Sequence, residues 1–337
     1  MSEQQYKSMI GKYMSLYLSE CQRKGHKAQD VKFVFATIDR FLYSINFQED
    51  HVDRETYYAW LETQQSYKAS TKYQHISIFR RLLIFMCDLG VECYIPRLPE
   101  KHASGFVPYV FSEEEMNNIF AASDSLRMKE HHSNSVMIAI PAMIRLLYST
   151  GVRISEALAI KNKDVDYNRH VIVLNDTKNS SQRLAPINES LEDVLKQYCR
   201  YRDMIPASGI KDPDHHFFVS SLGAPIARKT VLSYFHKLLL KANIAYKGHQ
   251  NGPRVHDLRH TACVHSMTMQ VQNGKDIYCS LPSLSVFMGH KKVLDTEYYL
   301  RLTADMYPDV VKLDTSITAN ISSVLRQSIQ DKAYETE

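Results

Sequence analysis

Long hydrophobic runs are missing from this chain of 337 residues. No stretch approaches the roughly 18 consecutive apolar residues that a membrane-spanning helix needs. The opening segment, MSEQQYKSMI, is too polar for a secretory signal peptide. These absences argue against a membrane protein and a secreted one, so we expect a cytoplasmic protein without a membrane partner.

Paired cysteines are also missing. The six cysteines are scattered without any CxxC pair, which argues against a zinc ribbon and a disulfide framework. The chain has no GxxxxGK[ST] loop for nucleotide phosphates and no HExxH motif. His256, His260 and His290 could form part of a zinc site, but no evident carboxylate cluster could hold paired Mg²⁺ ions. We therefore predict neither a metal nor a cofactor.

Excess charge of either sign is small, since the formal net charge is +4 and the pI is about 8.5. The distribution of charge is more informative than the total. Between Pro225 and His260, seven Lys or Arg residues accompany a single acid, Asp257. Such a run is either a solvated face or a surface for a polyanion, and other motifs must decide between the two.

The length of the chain exceeds what one hydrophobic core usually organises, so we expect two domains. An apolar fraction of 44% with 23% charged residues is ordinary for a globular protein. Residues 1–95 repeat apolar side chains at helical spacing and predict a small helical domain. The segment 96–107, within IPRLPEKHASGFVP, has prolines and a glycine but no periodicity, and predicts a linker.

A helix predicted over Ser66 to Asp88 is the most informative element of this first domain. Its apolar stripe consists of Ile76, Phe79, Leu83 and Met86. Four basic residues fall largely off that stripe: Lys68, Lys72, Arg80 and Arg81. They predict contacts with DNA phosphates or, alternatively, a plain surface helix whose basic residues serve solubility.

The second domain, predicted over 108–310, combines helices with one β-hairpin. Ser112 and Glu115 have the spacing of a capping box that opens a helix. Two strand-like runs, 171–174 and 183–187, are joined by the turn-rich loop DTKNSSQ. Helical patterns cover 136–158 with a break at Ser149-Thr150-Gly151, then 229–240, 257–270, 283–288 and 295–302. We therefore predict a mainly α chain with a small antiparallel β-sheet, in the α+β class.

Several motifs occur in a fixed order along the second domain. They are GVRISE at 151–156, Lys178 in the hairpin loop, HDLRHT at 256–261, GHKK at 289–292 and Tyr299, nine residues after His290. Each alone is a weak signal, because a pair such as His256 and Arg259 arises by chance in many chains. The ordered set is much more specific.

In this ordered set the chain resembles the tyrosine recombinases, also called phage integrases, over about Val107 to Leu302. The stretches FFVSSLGAPIARKTV and LPSLSVFMGH are similar to the family as well, and TEYYLRLT is similar to integrases and transposases of mobile elements. The resemblance implies a helical core-binding domain followed by a catalytic domain. It also implies site-specific DNA recombination through a 3′-phosphotyrosine.

The resemblance assigns a role to each member of the set. Arg153 and Arg259 would grip the scissile phosphate, and guanidinium forks suit the charge that builds on its oxygens. Tyr299 would be the nucleophile with His256 as its helper, since a phenol of pKa about 10 needs activation. The neighbouring Tyr298 points about 100° away on a helix and is the competing candidate.

Three further residues would support this chemistry. Lys178 would be the general acid for the leaving 5′ oxygen. His290 would donate a hydrogen bond to the phosphate, and Glu156 would orient an arginine or a histidine. Ordinary alternatives are an exposed turn lysine, a capping histidine and a simple ion pair between Arg153 and Glu156.

The implied partner is double-stranded DNA at a specific site. We expect it to be contacted by basic residues of both domains: Lys68, Lys72, Arg80, Arg81, Arg228, Lys229 and Lys237. Two cuts on each of two duplexes imply a homotetramer on DNA. We expect the free protein to be a monomer. Accessory recombinases or DNA-bending factors are further expected partners. Residues 311–337 are expected to form a helix, over about Ile317 to Gln330, exchanged between protomers, or a frayed tail.

Three alternatives stay open. A type IB topoisomerase would use similar residues to relax one duplex, although the short helical first domain favours recombination. An inactive DNA-binding accessory protein on the same fold should lack some member of the motif set. A helical interaction protein would need several coincidences in order, and its DNA binding would be insensitive to salt.

Overall fold

The computed structural model describes residues 6–25, 28–100, 107–127, 135–175, 182–248, 252–275, 277–290, 296 and 299. The chain forms two compact units, Met1–Phe106 and Val107–Glu337. Within the described ranges, no helix is long and apolar enough to cross a membrane.

In its described residues, the first unit contains four helices: α1 Gly11–Arg23, α2 Gln29–Ser44, α3 Arg54–Glu62 and α4 Ala69–Asp88. Asp53 caps α3 by accepting a hydrogen bond from the backbone N–H of Thr56. Phe35, Trp60 and Phe79 are buried in the shared core, where the Trp60 and Phe79 rings lie 4.7 Å apart. Burial of these large aromatic side chains stabilises the bundle.

Helix α4 has the two faces that its sequence predicts. The stripe residues Ile76, Phe79, Leu83 and Met86 are all buried. Lys68 and Arg81 are exposed, whereas Arg80 is half-buried and its Nε donates to the carbonyl oxygen of Pro96 at 3.0 Å. Arg80 therefore ties α4 to the segment that follows it.

The second unit opens with α5 Glu113–Asp124, α6 Ile140–Thr150 and α7 Ile154–Ala159. The predicted capping box is present, because Ser112 and Glu115 each accept a hydrogen bond from the other's backbone N–H. Helix α6 ends at Gly151, which has the left-handed φ of 59° that favours glycine. The predicted break between two helices is thus observed just before Arg153.

A three-stranded antiparallel sheet follows, in the order β1 Val165–Asp166, β2 Val171–Leu174 and β3 Arg183–Pro186. The predicted hairpin is the β2–β3 pair, with Leu174 opposite Arg183. The two-residue strand β1 was not predicted. The sheet places Arg183 at the first position of β3, directly after the hairpin loop.

Four helices complete the described part of this unit: α8 Glu189–Arg202, α9 Arg228–Lys241, α10 Asp257–Gln272 and α11 Ile277–Met288. Ten of the sixteen residues of α10 are buried, which makes it the central helix next to α6 and α11. The predicted fold class, mainly α with a small antiparallel sheet, is confirmed. The helices predicted at 295–302 and 317–330 lie outside the described residues, apart from Thr296 and Tyr299.

Candidate active site

Arg259 lies in the first turn of α10 and is 3% exposed. Its guanidinium donates hydrogen bonds to the carbonyl oxygens of Gly151, at the end of α6, and Met288, at the end of α11. Burial, together with the nearby positive charge of Arg153, lowers the pKa of Arg259 to about 10. The group therefore stays charged at neutral pH, and it joins three helix ends at one point.

A buried carboxylate sits between two other arginines. Nη1 of Arg153 is 2.7 Å from Oε1 of Glu156, and Nη2 of Arg183 is 2.9 Å from Oε2. Burial alone would raise the pKa of Glu156, but hydrogen bonds from the backbone and side chain of Arg153 and the charge of Arg183 outweigh it and lower the pKa. The ion pair between Arg153 and Glu156, which the sequence offers as the ordinary alternative to a catalytic Arg153, is present and is extended by Arg183.

Arg183 connects β3 to the end of α11. Its Nη1 donates to the carbonyl oxygen of Phe287 at 2.7 Å, while its buried Nε has no hydrogen-bond partner among the described residues. A Cβ on Gly289, which has a φ of 65°, would lie 2.6 Å from that Nε. A glycine is therefore needed where α11 ends, because any side chain would displace the guanidinium.

Tyr299 lies among histidines on the other side of the site and is 3% exposed. Its Oη is 2.8 Å from Nδ1 of His260, and its ring stacks on that of His290 with centroids 6.0 Å apart. Nδ1 of His290 is 2.8 Å from Oγ1 of Thr296. His256 lies against His260 with ring centroids 4.8 Å apart.

His256 and His260 are held in the neutral form. Burial of the ring, followed by the neighbouring His256 and Arg254, lowers the pKa of His260 to about 3. Desolvation and the positive charges of Arg259 and Arg254 also lower the pKa of His256. His256 is exposed to solvent.

The site thus has two halves, which we name by their side chains. The arginine half consists of Arg153, Arg183, Arg259 and Glu156, and the imidazole half consists of His256, His260, His290 and Tyr299. The two halves meet at Arg259, whose ionisation responds to Arg153, Tyr299, Glu156 and Arg183. Within the described ranges, no group of three or more His, Cys, Asp or Glu side chains is placed to hold a metal ion.

The sequence does not predict the roles of two residues of the site, His260 and Arg183. The sequence offers His260 only as a zinc-ligand candidate, although it follows His256 at i+4 on the same helix face. Arg183 was not assigned a role, and its position at the start of a strand beside the Lys178 loop was the available signal. Lys178 and Tyr298 lie outside the described residues.

The predicted DNA-binding residues of the second unit lie on α9. Arg228, Lys229 and Lys237 are exposed, and Nζ of Lys237 lies 4.9 Å from the centroid of the Tyr234 ring. Exposed cations on one helix are compatible with phosphate contacts and with a solvated face. Their role, like that of Lys68, Lys72 and Arg81, stays a prediction.

Comparison with known proteins identifies the class. The model of the phage integrase family matches residues 110–306, which is more than half of the chain. The chain therefore belongs to the phage integrase family. The match includes every described residue of both halves of the site.

Individual relatives agree with this assignment. A Sinorhizobium fredii protein named integrase/recombinase y4rB is 26% identical over 205 residues, which cover 61% of this chain and 65% of that protein. The tyrosine recombinase XerC of Bacillus pumilus is 27% identical over 201 residues, 59% of each chain. The chain thus spans about three-fifths of the length of these curated relatives.

A solved structure shows the same fold. The Tn1549 transposon integrase, in complex with transposon right end DNA, has a TM-score of 0.62 and 16% identity over 85% of this chain and 94% of that one.

Proposed function

We propose that the chain is a site-specific DNA recombinase of a mobile element that cuts and rejoins DNA through a 3′-phosphotyrosine on Tyr299. The observation that carries this proposal is the convergence of buried guanidinium groups and a tyrosine hydroxyl around the start of α10. Guanidinium groups stabilise the charge that builds on a phosphate under attack. A phenol supplies the nucleophile.

Arg153 and Arg259 bind the non-bridging oxygens of the scissile phosphate in this mechanism. Glu156 positions Arg153 through their 2.7 Å contact, and the Gly151 and Met288 carbonyl oxygens position Arg259. These anchors fix the guanidinium groups before DNA arrives, so little reorganisation is needed when the phosphate enters.

The bond changes then follow from the proposed roles. Oη of Tyr299 attacks phosphorus and loses its proton to a histidine of the imidazole half, the bond from phosphorus to the 5′ oxygen breaks, and Lys178 gives that oxygen a proton. His290, whose ring stacks on Tyr299, donates a hydrogen bond to the phosphate. The phosphotyrosine linkage conserves the energy of the broken phosphodiester bond, so rejoining requires no nucleotide.

The partner is double-stranded DNA, bound through both units and assembled with four protomers, because recombination makes two cuts on each of two duplexes. The basic residues of α4 and α9 supply phosphate contacts in this proposal. The mobile-element assignment is supported by TEYYLRLT, which is similar to integrases and transposases of mobile elements. Affinity should fall steeply as salt rises, as expected for a phosphate clamp.

A suicide substrate tests the proposal. The probe is a nicked duplex that carries a site selected by the full chain from a random-sequence pool. In EDTA, wild type and Tyr298→Phe should form a covalent adduct on a denaturing gel, and Tyr299→Phe should form none. Binding without any adduct would instead identify an inactive DNA-binding protein, and adduct formation with plasmid relaxation but no strand exchange would identify a topoisomerase.

A further inference from the structure

The hydroxyl of Tyr299 contacts a different histidine from the one that the family resemblance pairs with it. Nδ1 of His260 lies 2.8 Å from Oη of Tyr299, and the two ring centroids are 5.5 Å apart. His256, one helical turn earlier, meets the His260 ring at 88°, edge to face. The imidazole in direct contact with the attacking oxygen is therefore that of His260.

The protonation of His260 decides how this contact can be used. His260 is neutral, because burial of its ring and the groups around it lower its pKa to about 3. The ionisable groups that act on it, besides Tyr299, include His256, Arg254, Arg259 and His290. A neutral imidazole carries one proton, and with that proton on Nε2 the Nδ1 atom accepts and the phenol donates. This is the tautomer that the inference requires, because it directs the proton of Tyr299 at the lone pair of Nδ1.

We propose that His260 is a catalytic residue, the base that takes the phenol proton as Tyr299 attacks the scissile phosphate. The bond from Oη to phosphorus forms, the bond from phosphorus to the 5′ oxygen breaks, and the phenol proton moves to Nδ1 of His260. The leaving oxygen takes its proton from a separate acid, Lys178 in the proposed function, on which this inference rests.

The bound phosphate makes His260 a stronger base. The positive charges of Arg254 and Arg259 disfavour an imidazolium at His260, but the negative charge of a bound phosphate offsets them. His260 therefore gains basicity when the phosphate is in place between the guanidinium groups. Without DNA, the phenol keeps its proton.

A substrate with a sulfur leaving group distinguishes a variant that lacks the general base from one that lacks the general acid. The nicked duplex is prepared with oxygen and with sulfur at the 5′ bridging position, since a thiolate leaves without protonation. His260→Asn should slow cleavage of the oxygen substrate by about 10²–10⁴-fold, the usual contribution of a general base. Sulfur should not restore that rate, whereas it should restore the rate of Lys178→Ala.

A more acidic nucleophile supplies the second test. 3-Fluorotyrosine at position 299 should recover part of the rate lost in His260→Asn, because its phenol needs less help to ionise. His256→Asn is the matched control and should gain less from the same replacement. Thermal unfolding and DNA affinity of each variant show whether a slow variant is folded and bound.

Each outcome decides the question. If His260→Asn is folded and cleaves near the wild-type rate, or if sulfur rescues it, His260 is not the base. If fluorotyrosine rescues His256→Asn instead, His256 is the base. If wild type itself forms no adduct with the bound site, the proposed function fails, and this inference fails with it.

Discussion

The arginine half and the imidazole half of the site occupy one positively charged environment, yet Arg259 is charged at neutral pH and His260 is not. Burial and neighbouring cations lower the pKa of Arg259 to about 10, so it remains charged at neutral pH. The same two effects lower the pKa of His260 to about 3, so it becomes neutral. The outcome differs because an ordinary guanidinium pKa lies far above 7 and an ordinary imidazole pKa lies just below it.

This difference separates the two tasks of the site. A permanent charge suits the grip on a phosphate, and a neutral imidazole suits the acceptance of a proton. One cluster of cations therefore prepares both functions without any metal in the proposed mechanism. Changes to single residues can break either half while leaving the other in place.

The largest effect is expected from Arg259→Gln. The variant loses the phosphate-binding charge and leaves the carbonyl oxygens of Gly151 and Met288 without their donor. Covalent adduct formation on the nicked duplex should fall by at least about 10²–10³-fold, as when one preorganised donor is removed elsewhere. The exposed Arg169→Gln is the control. Wild-type cleavage by folded Arg259→Gln would show that the arginine half does not bind the scissile phosphate.

Glu156→Gln should cost about 3 kcal/mol of unfolding free energy at pH 7, because it leaves two arginines around an uncharged side chain. Urea denaturation measures this loss against Glu189→Gln, an exposed glutamate on α8. The folded-state pKa of Glu156 is lowered, so its stabilising effect is present above the unfolded pKa and lost as pH falls through the folded pKa. The difference in unfolding free energy between wild type and Glu156→Gln should therefore become smaller in acid. A difference that does not change with pH would contradict stabilisation by the ion pairs.

A smaller effect is expected from Gly151→Ala, which alters the point where Arg259 anchors α6. The new Cβ would lie 2.7 Å from Sδ of Met288 in a backbone with a φ of 59°. We expect a loss of about 2 kcal/mol, from backbone strain and the steric clash together. Gly274→Ala is the control, because Gly274 has a φ of 74° but open space around an added Cβ. Its loss of stability measures the backbone strain alone. Thermal unfolding measures the loss of stability in both variants. Equal losses would show that the clash with Met288 does not contribute.

Local signals in the sequence predicted much of the fold. The capping box at Ser112 and the apolar stripe of α4 depend on residues three to seven positions apart, and both are present. The strand β1 has only two residues, which is too short for a periodic pattern. Helix α8 was not predicted, although it has an Asn188 cap and a buried face.

The site was predicted less completely because its contacts join distant parts of the chain. The hydrogen bond from Arg183 to Phe287 spans 104 residues, and the one between Tyr299 and His260 spans 39. No local pattern specifies which imidazole faces a phenol across such a separation. The family resemblance predicts which residues belong to the site. Their hydrogen-bond partners depend on tertiary packing, such as that of α10 against α6 and α11, which no local pattern specifies.

The smallest expected effect concerns the imidazole half and the pH dependence of stability. Because His260 has a folded-state pKa well below that of an unfolded histidine, the unfolded chain binds a proton first as pH falls below about 6.5. Wild type should therefore lose stability between pH 7 and pH 5, and His260→Asn should remove about 1–2 kcal/mol of that loss. Urea denaturation at both pH values measures it, with His236→Asn on the exposed face of α9 as the control. If His260→Asn leaves the acid-induced loss unchanged, His260 has the same pKa in the folded and the unfolded chain, which would contradict a folded-state ring that burial and neighbouring charges keep neutral.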